Sequence, residues 1–113
     1  MQAGWVLREG EVLAAAERAD SFLERARGLI WRGSYDGAML LPRTRSIHSF
    51  GVRFPIDVAF LDREDRVIAM VRLRRWRVTL PRMRAAQALE ARAGSFERWG
   101  LGLGDQLEFR PTL

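Results

Sequence analysis

The sequence predicts an α+β domain in which a mostly antiparallel sheet of about seven short strands curls into a partial barrel and carries one or two short helices. Three observations lead there. The apolar runs are short and end at Gly, Pro or Asp, the capping residues support only brief helices, and no strand is followed by a long amphipathic helix of the kind a βαβ unit needs.

Val12 to Ala16 reads as the first strand, although Leu13, Ala14, Ala15 and Ala16 would tolerate a helix, because helix-start signals come only afterwards. Asp20 and Ser21 are N-cap types, and Ser21 with Glu24 makes a capping box. A short helix to Arg27 would then end at Gly28, burying Phe22, Leu23 and Ala26. Gly33, Tyr35, Asp36 and Gly37 mark a turn, and Ala38 to Leu41 is a buried strand stopped by Pro42. Ile47 to Phe50 and Ile56 to Leu61 read as two more strands, with Pro55 where no ladder donor is required. In the latter, Ile56, Val58 and Phe60 point one way and Asp57, Ala59 and Leu61 the other. Asp62 to Asp65 is a polar turn leading to Val67 to Val71, so this pair forms an antiparallel hairpin. The stretch Arg72 to Arg84, interrupted by Pro81, keeps no period and reads as an extended loop or edge segment. Ala88 to Arg92 is a strand, Phe96 to Trp99 a helical turn capped by Gly100, and Gly104-Asp105 a turn into a last strand from Gln106 to Arg110.

The chain has 113 residues, no cysteine and 48% hydrophobic residues, which suits one domain spanning residues 1–113 with a single core. Disulfides and cysteine metal sites are excluded. With His48 the only histidine, neither a metal nor a cofactor is expected. No apolar run approaches the roughly 20 residues of a membrane span. The first residues lack a basic region followed by an apolar stretch, so the expected compartment is the cytoplasm. All 19 basic residues are Arg and the net charge is +5. The asymmetry matters more than the total: between Asp65 and Glu90 there is no acid, while Arg66, Arg72, Arg74, Arg75, Arg77, Arg82 and Arg84 all fall there.

Asp57 is the leading site candidate, since a carboxylate in a strand of Ile, Val, Phe and Leu must be paired to offset its desolvation. Either loop amides or Arg53 satisfy it, pinning the crossover before Pro55, or it serves as a ligand-orienting acceptor or general base. His48 is a possible partner base, with Ser46 or Ser49 nearby, but no Gly-x-Ser-x-Gly elbow surrounds either serine.

The segment from Ile47 through His48, Arg53 and Asp57 to Asp62 resembles the signature of the domain of unknown function 192 family, also called uncharacterised protein family 0127. The early Glu24-Arg25-Ala26-Arg27-Gly28-Leu29, then Ala88-Leu89-Glu90 with Ala93-Gly94, and Gly104-Asp105 complete the resemblance, which runs roughly from Val12 to Phe109. It implies a shared fold, with Asp57 at a position the family keeps acidic, and it implies no reaction.

Three functional expectations follow. The first is a non-enzymatic domain that binds a small ligand or a protein in a groove near Asp57, flanked by His48 and Arg53. The second is a polyanion-binding module, for nucleic acid or anionic lipid, using Arg72, Arg74, Arg75, Trp76, Arg77, Arg82 and Arg84; guanidinium forks take phosphate oxygens and the indole stacks. Against the second stands a solvated edge on which arginines discourage sheet pairing. A hydrolase using His48 and Asp57 is a third, weaker option.

Overall fold

A hairpin at the N-terminal end opens the sheet: β1 (Gln2–Arg8) turns through Glu9 and Gly10 into β2 (Glu11–Arg18). The computed structural model describes residues 1–21, 24 and 37–112. The body of the predicted early helix and the turn before Gly37 therefore lie outside the described residues, but the capping box is present. Glu24 N–H donates to Ser21 Oγ at 3.1 Å, and Ser21 N–H donates back to the Glu24 carboxylate at 3.1 Å.

The other strands are β3 (Ala38–Pro42), β4 (Ile56–Leu61), β5 (Val67–Leu73), β6 (Gln87–Arg92) and β7 (Leu107–Pro111), with a short helix, α1 (Ser95–Trp99), among the described residues. They form a 7-stranded sheet in the order β5-β4-β6-β3-β2-β1-β7. Every pairing is antiparallel except β2 with β3, whose parallel register requires the long crossover through residues 19–37. The predicted β4–β5 hairpin is present, with Asp57 directly opposite Arg72.

Two expectations are corrected. Ile47 to Phe50 is not a strand of the sheet; it makes a single bridge, His48 to Val78, and turns at once through Gly51, φ +83°. β1 was not expected, and a bulge explains why: the register slips between Val6 and Leu7, so both are buried in succession and the period-2 signal is lost. The predicted curl stops short of closure. β5 and β7 remain edges, meeting only at one corner where Val67 N–H donates to Asp105 O at 2.9 Å and Leu107 N–H to Asp65 O at 2.9 Å.

Both faces of the central strands are covered, which is why all of β4 is buried. Ile56, Val58 and Phe60 pack with Met39, Leu41, Ile47, Val52 and Phe54 on one side. Ala59 and Leu61 pack with Val6, Leu40, Leu89, Phe96 and Leu107 on the other. On that second side, α1 lies at the Asp57 end of β4.

Gly4 is where β1 and β7 approach most closely. A Cβ there would stand 2.5 Å from the Arg110 carbonyl oxygen and 2.6 Å from the Phe109 ring. Gly4→Ala is expected to cost about 1–3 kcal/mol, because neither the backbone nor the ring can yield cheaply. Chemical denaturation checks this; unchanged stability would show that β7 can shift outward freely.

Candidate functional site

Asp57 is 4% exposed, and both of its carboxylate oxygens are engaged. Arg72 Nε donates to Oδ1 at 3.0 Å, while Gly94 N–H and Phe96 N–H donate to Oδ2 at 2.9 and 3.3 Å. The two amides belong to the first turn of α1, where backbone donors have no partner within the helix. Gly94 reaches this position at φ +97°, a conformation that favours glycine. Asp57 thus ties together three parts of the chain, β4, β5 and α1, and its carboxylate raises the Arg72 guanidinium above its ordinary pKa by hydrogen bond and charge. The guanidinium partner is Arg72 rather than the Arg53 considered from sequence.

Arg53 is exposed on the turn after Phe50, and the contacts of His48 are with Phe50 and Val78, next to Ile47, which packs in the core on the opposite side of β4 from Asp57. The structure therefore does not bring Asp57 together with His48 and Arg53. Ser46 Oγ donates to Thr79 O at 2.9 Å and Ser49 Oγ to Arg74 O at 2.6 Å, so both hydroxyls hold backbone.

What the structure does assemble is a face built on residues 46–50 and the arm 74–84. Thr79 N–H donates to Ile47 O, Ser49 N–H to Arg77 O, and Arg77 N–H to Ser49 Oγ, so the arm lies fixed along the segment. Ser49 points inward and is fully buried; alternation then throws His48 and Phe50 outward on the same side. Their rings stack with centroids 5.3 Å apart and planes 27° from parallel. Trp76 continues the row on Phe50 at 6.0 Å and again 27°. His48 Nδ1 accepts from Phe50 N–H at 3.2 Å, which helps fix the first ring.

Trp76 adopts φ +61°, a left-handed backbone unusual for a bulky residue. Its ring is nevertheless mostly in solvent, 58% exposed, beside Phe50 at 45%. Such a conformation is held only because Ser49 grips the turn on both sides of it.

The arginines divide into two groups. Arg72 belongs to Asp57, and Arg82 lies over the Phe60 ring at 5.9 Å. Arg74, Arg75 and Arg84 are exposed without a hydrogen-bonded or ionic partner among the described residues, and Arg77 bonds only the adjacent Trp76 carbonyl through its side chain. The arm is thus an extended loop, as expected, and not an edge of the main sheet.

Two features were invisible in the sequence. Glu90 is buried on β6 with Oε2 lacking any hydrogen-bond partner, and burial pushes its carboxyl up to about 8. It shares a strand face with Ala88 and Arg92 and alternates with Leu89 and Ala91; only the packing of that face against the core of Met39, Val58 and Phe60 shows that it is dry. The other feature is a cavity at the Leu61 end of the sheet, assembled from strands distant in sequence. Among the described residues no group of three or more acids and histidines is placed to hold a metal, and no helix is long and apolar enough to cross a membrane.

The chain resembles known proteins over nearly its whole length. A UPF0127 protein of Pyrococcus horikoshii is 38% identical over 106 residues, covering 89% of this chain and 89% of the relative. A protein of unknown function from Novosphingobium aromaticivorans superposes with a TM-score of 0.77 at 22% identity, covering 94% of this chain and 83% of that one. A candidate transcription regulator from Sinorhizobium meliloti gives 0.78 at 21% identity, with 96% and 92% covered. These two structures share the fold. The family model described as DUF192, Uncharacterized ACR, matches residues 5–109, so the chain belongs to this uncharacterised family, DUF192/UPF0127.

Proposed function

We propose that this chain is a non-enzymatic binding module for single-stranded nucleic acid, and that its contact face is the His48–Phe50–Trp76 row with its flanking arginines. What supports the reading is the combination of stacked rings, with Phe50 and Trp76 largely in solvent, and guanidinium groups on the adjoining arm that have no partner among the described residues. Rings offer a base its π-face regardless of sequence, and arginines take the phosphates beside it. A duplex keeps its bases stacked on one another, and a lipid surface offers none, so the row favours single strands over either. A ligand groove at Asp57 has less support, because both carboxylate oxygens already have partners.

The test is fluorescence anisotropy of a labelled oligouridylate titrated with protein at low salt. Trp76→Asn removes the ring with a residue that tolerates the left-handed backbone. It is expected to weaken binding about tenfold or more, since one stacked base is worth about 1–3 kcal/mol. Its melting temperature should stay within a few degrees of wild type, because the lost ring is mostly exposed. Equal affinity for duplex or for anionic vesicles would overturn the single-strand reading, as would binding that survives Trp76→Asn unchanged.

A further inference from the structure

The cavity at the open end of the curled sheet is separate from the face just described. Its volume is about 490 Å³, within the range of small-molecule sites. Val6, Leu40, Leu61, Leu89 and Leu107, contributed by five strands, form its apolar floor. At the opposite end of the same interior, beside Asp57, Phe96 of α1 packs in the same cluster.

Charge at that mouth is unevenly committed. Arg18 lies over the Phe109 ring at 5.2 Å and donates to Asp20 at 2.8 Å and to the Gln2 amide oxygen. Glu108 is paired with Arg110 at 3.1 Å. Asp65 accepts a hydrogen bond from Gln87, and burial together with the nearby Asp62 raises its carboxyl from its ordinary value. Arg43 differs from these. Its guanidinium is exposed, has no hydrogen-bonded or ionic partner among the described residues, and sits on a backbone turned to φ +52° directly after Pro42, where β3 ends at the rim.

We infer that this cavity binds an amphipathic monocarboxylate, with the apolar body on the leucine floor and the carboxylate taken by Arg43. An apolar floor alone would admit any hydrocarbon; the single uncommitted fork at the rim selects a planar acid, which it can hold by two parallel hydrogen bonds. This site does not depend on the aromatic row, and none of the described residues that line it belongs to that row.

The experiment is isothermal titration of the full chain with decanoate, with decanol as the uncharged match and acetate as the match lacking an apolar body. Wild type is expected to bind decanoate saturably at one site, at least tenfold more tightly than decanol, with acetate silent. Arg43→Gln, an exposed change, is expected to bring decanoate down to the level of decanol, while Trp76→Asn leaves decanoate binding as in wild type. Decanol binding as well as decanoate, absence of saturable decanoate binding, or an Arg43→Gln variant indistinguishable from wild type would each overturn the inference. Loss of decanoate binding in Trp76→Asn would overturn it too, since the ligand would then sit on the aromatic face.

Discussion

Replacing Asp57 with alanine is expected to lower stability by about 2–4 kcal/mol, a fall in melting temperature of roughly 10–20 °C for a domain of this size. The greater part comes from two amides. Gly94 N–H and Phe96 N–H are the first donors of α1, and no other side chain among the described residues bonds to them. Once the carboxylate is gone, their desolvation is uncompensated. The Arg72 pair contributes less, because that guanidinium is 57% exposed and solvent screens it. Arg72→Ala is therefore expected to cost about 1 kcal/mol or less. Asp57→Asn should fall between, as its amide oxygen can still accept one of the bonds. Thermal unfolding of the three variants checks the order; an Asp57→Ala protein as stable as wild type would mean the carboxylate is held at a cost, and the site would have to be sought there after all.

The opposite sign is expected for Glu90→Gln. The Glu90 carboxyl is raised from 4.5 to about 8 by burial, so the folded state keeps a proton that the unfolded chain releases from about pH 4.5 upward. Below pH 4.5 both states are protonated and Glu90 lends its full share of stability. As pH rises from there toward 8, the folded state binds more protons than the unfolded one, and that share is progressively lost. Glutamine does not titrate. The variant is thus expected to match wild type near pH 4 and exceed it by about 3–5 kcal/mol near pH 8, with the acid-to-neutral decline of wild type flattened. Chemical denaturation across that range reads it directly; parallel curves for the two proteins would show that Glu90 is not buried as a neutral acid.

How far the sequence reached can be seen in these residues. The β4–β5 hairpin, the alternation that isolates Asp57 and the Gly100 cap were legible, because each depends on neighbours close in the chain. Arg72 as the partner of Asp57 depends on register across the hairpin, which carries a bulge at Phe60/Leu61 and so cannot be counted back from the turn. Ile47 to Phe50 looked like a strand because extended alternation is the same signal whether the partner is a sheet or a loop. His48 and Phe50 at i and i+2 share a side by that alternation, yet Trp76 joins them only through the Ser49 hydrogen bonds. Glu90 and the cavity were out of reach for a further reason: both arise from strands far apart in sequence, one from a second core and the other from a curl.

The central claim is that phosphates and bases meet this protein along the arm, and the salt dependence of oligouridylate binding tests it most directly. With Arg74, Arg75 and Arg84 on single-strand phosphates, the slope of log K against log salt is expected to be about −2. Exchanging Arg74, Arg75 and Arg84 for glutamine should bring it close to zero and leave a weak, salt-insensitive remainder that Trp76→Asn removes. A slope already near zero in wild type, or one that survives those three exchanges, would contradict the account.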